Sequence, residues 1–155
     1  MRLIILISLA LLASCAATGP AFTEKPAHRS DMVKVYIFRT HSRAEARSAS
    51  IEIDGDKIGN LRERGYLESE IAPGKHAIES KWWFDAGVSN SQFVGDFVAG
   101  KEYFLRLYVD FLGYNTVATG MASMPVAVSG RFATGIILLD KEHALPLIRD
   151  TRLSK

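Results

Sequence analysis

Apolar and polar residues alternate with a period of two along most of the chain after residue 32. Residues 33–39, 49–54 and 102–109 alternate in this way, whereas residues 132–139 form an apolar run. Successive side chains of a strand point to opposite faces, so alternation predicts one buried face and an apolar run predicts burial on both. The predicted strands are residues 33–39, 49–54, 57–59, 66–71, 76–84, 92–98, 102–109 and a deeply buried 132–139.

Turn-forming residues separate these strands about every ten residues, which is the spacing of a β-sandwich or barrel. Gly55 supplies the positive φ that a tight hairpin needs, and Pro73-Gly74 fits a type II turn. His76 follows that turn, where its imidazole is expected to hydrogen-bond the backbone. We therefore predict an all-β fold, an antiparallel β-sandwich of about seven to nine short strands.

The C-terminal part of the chain predicts one helical turn. Asp140 stands where a helix N-cap would, before a short helical stretch over residues 141–147. The sequence thus predicts a β-sandwich domain over residues 33–148 and a frayed polar tail over 149–155.

The glycine-rich stretch 113–130 is apolar and has only weak periodicity. One interpretation is a slack strand pair or a long hairpin connection. The other is a mobile apolar loop that touches a partner or the membrane, since long loops in compact domains are often functional.

The N-terminal residues follow a different pattern. Arg2 precedes an apolar run over residues 3–13, which is shorter than the roughly 20 residues that span a bilayer, and Leu12-Ala13-Ser14-Cys15 ends it. The segment resembles a bacterial lipoprotein signal, which implies removal of residues 1–14 as a signal peptide and attachment of acyl chains such as palmitate to Cys15. Ordinary secretion with a free Cys15 and an uncleaved membrane helix are the alternatives.

Lipid on Cys15 predicts permanent membrane attachment, because about three acyl chains bury many methylenes at roughly 0.8 kcal/mol each. The resemblance also implies a location in the cell envelope. An aspartate directly after the cysteine is an inner-membrane retention signal, and this chain has Ala16 there. The periplasmic face of the outer membrane is therefore favoured. Residues 16–32 contain two prolines, a glycine and no periodicity. We therefore predict a lipidated flexible tether over residues 15–32.

Composition narrows the classes of function. The formal net charge of the 155 residues is +2, and loss of Arg2 would leave +1. A nearly neutral surface argues against nucleic acid, which needs a clustered basic face. Cys15 is the single cysteine, so once it is acylated no disulfide, thiolate metal site or cysteine nucleophile remains.

Catalytic and metal-binding patterns are absent from the sequence. The histidines are His28, His41, His76 and His143, none of them at ligand spacing, and no HExxH, GxSxG or SxxK motif occurs. The turn at Asp54 lacks the later oxygens of a calcium loop. We therefore expect no metal, no cofactor and no catalysis; the alternative is an envelope hydrolase that uses His76 or His41 with an acid from another strand.

Five short motifs occur in order: VYIFR at residues 35–39, IEIDGDKIG at 51–59, GYL at 65–67, PGKH at 73–76 and AGKEYF at 99–104. Together they resemble an uncharacterised family of bacterial lipoprotein domains, a domain of unknown function. The IDG…PGxH core is also similar to the small β-sandwich modules called PEGA domains. The resemblance implies an antiparallel β-sandwich with no known activity. The family usually has tyrosine where Phe38 and Phe104 stand.

Two adjacent tryptophans indicate a binding surface. Neighbours on a strand face opposite sides, so Trp82 is predicted to be buried and Trp83 exposed. An exposed tryptophan beside charged residues is typical of a binding hot spot for protein or glycan, although it can also cover a sheet edge. Arg62 and Arg64 are assigned to loops at one end of the sandwich, either as a solvated rim or as a contact for an acidic polymer or lipid headgroups.

These patterns together predict a lipid-anchored, periplasmic envelope protein with a non-enzymatic binding or scaffolding domain. Its expected partners are the membrane, through Cys15, and an envelope protein or glycan. Confinement to a surface raises the effective concentration of such a domain towards partners there. The alternative function is an envelope hydrolase acting on cell-wall or lipid material.

Overall fold

A computed structural model describes residues 16–25, 29–41, 47–83, 88–118 and 125–154 of the chain. The predicted signal peptide over residues 1–14 lies outside the described residues, as does Cys15 with the lipid predicted for it. The middle of the glycine-rich stretch, residues 119–124, also lies outside them.

Strands make up about 60% of the described residues. In the described ranges they form nine strands and one short helix. In chain order these are β1 (Val33–Arg39), β2 (Ala49–Ile53), β3 (Asp56–Leu61), β4 (Gly65–Ile71), β5 (Gly74–Lys81), β6 (Ser91–Phe97), β7 (Glu102–Ala118), β8 (Pro125–Leu139), α1 (Lys141–Ile148) and β9 (Arg152–Leu153).

The strands form two sheets, with the orders β8-β7-β1-β4-β9 and β3-β2-β5-β6. The predicted all-β sandwich is confirmed. One detail is corrected, because β1 runs parallel to β7 and β4 runs parallel to β9, so the sandwich is not antiparallel throughout. Parallel neighbours need a long connection between them. Between β1 and β7 the chain supplies one by building the whole second sheet first.

The main core lies between the two sheets. All seven residues of β1 are buried, because β1 is the central strand of its sheet and both of its faces are covered. Val35 and Ile37 on its inner side pack in one cluster with Ile51 and Ile78 of the second sheet. β2 shows the expected alternation of buried and half-buried residues. The predicted alternation therefore matches the burial of β2, whereas β1 is buried on both faces.

A second cluster of buried side chains covers the outer face of the first sheet. The ring of Phe22 packs edge-on against Tyr36 and Tyr66, with 5.3 Å between ring centroids in both pairs. The Tyr36 ring in turn stacks on Phe104, and α1 contributes two buried residues to the same cluster. Burial raises the pKa of the Tyr36 hydroxyl to about 12, and this hydroxyl donates to the carbonyl oxygen of Lys25 at 2.7 Å.

Residues 16–25 are therefore docked on the domain and do not extend from it as the expected flexible tether does. The backbone N–H of Ala17 donates to the carbonyl of Glu63 at 3.0 Å, and that of Phe22 donates to Thr151 at 3.1 Å. Phe22 lies among small and polar residues of the sequence, but its ring fills an aromatic groove on the sheet. Burial of that ring outweighs the conformational freedom of a loose segment.

The C-terminal residues are also ordered. The predicted N-cap is confirmed, since the Asp140 carboxylate accepts from the backbone N–H of His143 at 2.9 Å. After α1 the chain returns to the sheet as β9, and Thr151 and Ser154 are buried. The backbone N–H of Ser154 donates to the carbonyl of Tyr66 at 2.9 Å. The expected frayed tail is thus ordered up to residue 154, because β9 and Ser154 hydrogen-bond to the backbone around β4.

Replacement of Phe22 by alanine should loosen residues 16–25 without unfolding the sandwich. The variant loses the two edge-on ring contacts, and we expect a loss of about 2–3 kcal/mol in unfolding free energy, below the full cost of a buried phenylalanine because the segment can undock. Urea unfolding followed by tryptophan fluorescence measures this loss, and brief digestion with a non-specific protease should cut the variant within residues 16–25. If the variant and the wild type have equal stability and equal protease resistance, the Phe22 ring does not hold residues 16–25 on the domain.

Short connections gather several strand ends at one end of the sandwich. β3 of the second sheet leads through three residues into β4 of the first, whose first residue pairs with Arg39 at the end of β1. β5 also ends here, because Lys81 pairs with the start of β2, which in turn pairs with the end of β3. We call this the Trp83 end, and it comprises residues 40–41, 62–64 and 82–83.

β7 and β8 form an antiparallel pair that continues beyond the sheet at the Trp83 end. β1 pairs with β7 only as far as Arg106, whereas β7 and β8 stay paired up to Ala118 and Pro125. Because β1 and β7 are parallel, the additional length of β7 runs past the last residue of β1. We call residues 111–118 and 125–130 the arm. The structure thus shows a strand pair over the described part of residues 113–130.

The predicted deep burial of residues 132–139 is wrong for most of this segment. Ile136 is buried, but Ile137 and Leu138 are exposed. β8 is the edge strand of its sheet, so no further strand covers it on the outside. The apolar run in the sequence does not distinguish an edge strand from a central one.

Candidate functional site

The two tryptophans differ in burial as predicted, with 8% of Trp82 and 69% of Trp83 exposed. Trp82 is fixed from two sides: its backbone N–H donates to the side-chain oxygen of Asn90 at 2.9 Å, and the guanidinium of the buried Arg39 lies 5.2 Å from its ring centroid. The Arg39 guanidinium also donates to the carbonyl of Arg47 at 2.6 Å. Trp83 therefore projects from a rigid base.

Arg62 and Arg64 lie in the connection between the two sheets, at the same end as Trp83. The backbone N–H of Arg62 donates to the hydroxyl of Ser154 at 3.1 Å, and its carbonyl accepts from Gly65 at 3.1 Å. Arg64 is exposed and has a left-handed φ of 51°. The three residues predicted as a binding surface thus share one end of the sandwich.

His41 and Glu63 form a pair at this end, with 2.5 Å between Nδ1 of His41 and a carboxylate oxygen of Glu63. The His41 side chain is 53% exposed and that of Glu63 is 14% exposed. The pair lies beside a cleft of about 410 Å³ whose lining includes His41, Arg64 and Asp150. A histidine oriented by a carboxylate at a cleft is an arrangement that can take up a proton.

His76 and Asp54 form a second pair, at the opposite end of the sandwich. Nδ1 of His76 lies 2.5 Å from Oδ2 of Asp54, and Nε2 lies 2.9 Å from the carbonyl oxygen of Ala72. A carbonyl oxygen can only accept, so Nε2 carries a proton and donates it. Both nitrogens of His76 are thus engaged with protein oxygens, and neither is directed at a substrate.

The other turn residues lie at this same opposite end. Gly55 has a φ of 90° and Gly74 a φ of 134°, both in the region that favours glycine. Gly55 follows β2, and Pro73 precedes Gly74 at the start of β5. The Asp54 carboxylate accepts from the backbone N–H of Ala77 at 2.8 Å, which ties the turn after β2 to β5.

Residues 29–122 match the family model described as "Protein of unknown function (DUF2846)". The chain belongs to this family. The matched region runs from just before β1 into the arm. No curated protein and no solved structure matches the chain. The expectation of a domain of unknown function is therefore confirmed, and the likeness to PEGA domains stays a prediction.

The sequence of this DUF2846 domain indicates His41 and His76 as candidates that act with an acid, but it does not identify their partners Glu63 and Asp54. In each pair the partners are 22 residues apart, too far for a local signal. For His76 and Asp54 a signal did exist, since IDG ends β2, PGKH begins β5, and these two strands pair antiparallel in one sheet. For His41 and Glu63 no comparable motif surrounds either residue.

The described residues of the domain give two further findings. They bring together no group of three side chains that could hold a metal ion. Within the same ranges, no helical segment has the length and hydropathy needed to cross a membrane.

Replacement of Asp54 by asparagine should reduce the sensitivity of the domain to acid. The hydrogen bonds from Ala77 and His76 lower the pKa of the Asp54 carboxyl below its ordinary value of 3.8. A carboxylate with a lowered pKa stabilises the folded state above its ordinary pKa, and this contribution is lost as the pH falls through the folded-state value.

Asparagine also tolerates the positive φ of residue 54, so the turn is retained. Thermal unfolding of both proteins between about pH 5 and pH 3 measures the effect. We expect the melting temperature of the Asp54→Asn variant to fall less over this range than that of the wild type. If the melting temperatures of both proteins fall in parallel with pH, the pair of Asp54 and His76 does not couple folding to protonation.

Proposed function

We propose that this protein is a lipid-anchored envelope protein whose domain binds a partner without catalysing a reaction. Lipid on Cys15 would anchor the protein, and the Trp83 end would carry the binding surface. One observation supports the arrangement most: Ala16, the residue after Cys15, forms a β-bridge with Glu63 at the Trp83 end. An alanine, and not an aspartate, directly after Cys15 also favours the periplasmic face of the outer membrane.

The bridge at Ala16 determines how close the domain would lie to the lipid. Consecutive Cα atoms are about 3.8 Å apart, so an anchor on Cys15 would begin directly beside the Trp83 end. Residues 16–25 are docked on the domain, so they add no distance between the domain and the anchor. The domain would therefore lie against the membrane surface, with Arg62 and Arg64 next to the headgroups.

Trp83 supports a role in binding. Its side chain is mostly exposed, whereas the adjacent Trp82 and Arg39 hold its backbone in place. Tryptophan and arginine dominate binding hot spots because both bury large surfaces at low entropic cost when they are held rigidly. The partner would be an envelope protein or glycan close to the membrane, where anchoring raises the effective concentration of the domain.

A photo-crosslinking amino acid at position 83 tests the binding surface in intact cells. We expect illumination to give an adduct of defined mass at position 83. The matched control is position 94 on β6, where Val94 is also exposed, and it should give no such adduct. The absence of an adduct at position 83, or the same products at both positions, would contradict a binding surface at this end.

The cleft beside His41 favours one alternative, an envelope hydrolase. His41 would act as the base and Glu63 would orient it. In that case a Glu63→Gln variant should lose the ability to hydrolyse isolated cell-wall or phospholipid substrates. If the wild type leaves both substrates intact, the alternative is excluded for them.

A further inference from the structure

The arm is a feature of the fold that the proposed binding surface does not use. Residues 111–130 contain no charged side chain, and no other uncharged run after the signal segment is as long. Asp110 and Arg131 flank this run. At its base Phe111 is exposed, and Leu112 is 58% exposed.

The base of the arm is fixed to the Trp83 end. Thr134 of β8, which pairs with Val109, donates its hydroxyl to the carbonyl of Ser89 at 2.7 Å. Ser89 lies in the segment between Trp83 and β6. The arm therefore leaves the sandwich at the same end as Ala16, and a lipid on Cys15 would lie at that end too.

We propose that the arm lies in the headgroup region of the bilayer and acts as a second, non-covalent membrane contact. This inference rests on the lipid anchor proposed for Cys15, because the anchor is what would turn the Trp83 end towards the membrane. An uncharged segment loses no ionic hydration when it enters this region, and its apolar side chains are removed from water.

The pairing of the arm limits how deeply it enters. Beyond Arg106, β8 is the only described strand that pairs with β7, so each strand of the arm has one edge without a strand partner. Such edges carry backbone groups that hydrocarbon cannot hydrogen-bond. The arm therefore lies at the level of the headgroups, where water and phosphate supply partners.

The local backbone allows the arm to lie along the surface. The pairing of β7 and β8 shifts register between Phe111 and Gly113 and again between Asn115 and Thr116. Such bulges bend a strand pair, and Gly113 has a φ of 125° that favours glycine. The eight residues 111–118 measure about 25 Å at roughly 3.3 Å per residue, which is enough for an extended contact with the surface.

An environment-sensitive fluorophore on Leu112→Cys tests the contact in the acylated full-length protein. Acylated Cys15 is blocked, so the new thiol is the single reactive site. The matched control is Val98→Cys, because Val98 is 51% exposed and lies between β6 and β7 at the opposite end of the sandwich. Both labelled proteins are placed in vesicles of phosphatidylethanolamine and phosphatidylglycerol, and unchanged melting temperatures verify their folding.

We expect the label at position 112 to shift to shorter wavelength and to lose most of its emission when shallow spin-labelled lipids are present. The label at position 98 should keep the spectrum that it has in water. No lipid quenching at position 112 overturns the inference. A blue shift that depends on protein concentration and needs no vesicles also overturns it, because a second copy would then cover the arm.

The mass of each labelled protein separates failure of this inference from failure of the proposed function. A protein without acyl chains on Cys15 contradicts the proposed anchor itself. An acylated protein whose label at position 112 is not quenched contradicts only the membrane contact of the arm.

Discussion

Replacement of Cys15 by serine should abolish lipid attachment and stop processing of the protein. Serine has no thiol to carry the thioether-linked lipid, so incorporation of radiolabelled palmitate should fall to background. Cleavage before residue 15 should fail with it, and the variant should keep residues 1–14. Palmitate labelling and mass spectrometry of the N-terminal peptide measure both effects in cells.

The matched control for this experiment is Ser14→Ala, which keeps a small residue before the cleavage site. This variant should be acylated, processed and fractionated as the wild type is. A Cys15→Ser protein with wild-type processing and the wild-type membrane fraction would rule out the lipid anchor.

Replacement of Ile37 by alanine should reduce the stability of the domain more than any other substitution proposed for it. Ile37 lies in the middle of β1, is fully buried, and pairs with Leu67 on one side and Leu105 on the other. The variant leaves a cavity between two sheets that cannot close around it, so we expect a loss of about 3–4 kcal/mol in unfolding free energy. This is a large part of the 5–15 kcal/mol that holds a typical domain together.

Urea unfolding with tryptophan fluorescence measures this loss, and Val94→Ala on the exposed side of β6 is its control. The control should change the unfolding free energy by less than about 0.5 kcal/mol. Equal values for the two variants would mean that the inner face of β1 is not the centre of the core.

Local features of the sequence predicted the individual strands and the start of α1. Alternation over residues 49–54 predicts a half-buried strand, and Asp140 predicts the helix N-cap. Both predictions are correct because both signals depend only on residues that are neighbours in the chain. The parallel pairing of β1 with β7 is not a local signal, since the second sheet separates the two strands in sequence. The same holds for β8, whose apolar residues do not reveal that it is an edge strand.

The docking of Phe22 was missed for a related reason. A single aromatic residue between prolines and a glycine gives no period, so the sequence predicts a tether over residues 15–32. The groove that receives Phe22 is built from Tyr36 and Tyr66, which belong to β1 and β4, two strands that are far apart in sequence. Only the folded sheet shows that the two meet.

The candidate binding surface could be predicted from the sequence better than the docking of Phe22. The exposure of Trp83 follows from its position next to the buried Trp82, and a three-residue connection places Arg62 and Arg64 at a strand end. The position of Ala16 beside Glu63 could not be derived, because it depends on the docking of residues 16–25. That position is what places the proposed anchor, Trp83 and the arm at one end of the molecule.

Mass spectrometry of the N-terminal peptide of the wild-type protein, isolated from membranes, tests the proposed anchor most directly. We predict a chain that begins at Cys15, with a diacylglycerol on the sulfur and an acyl chain on the amine. A chain that begins at another residue, or one that carries a free thiol at Cys15, would contradict it.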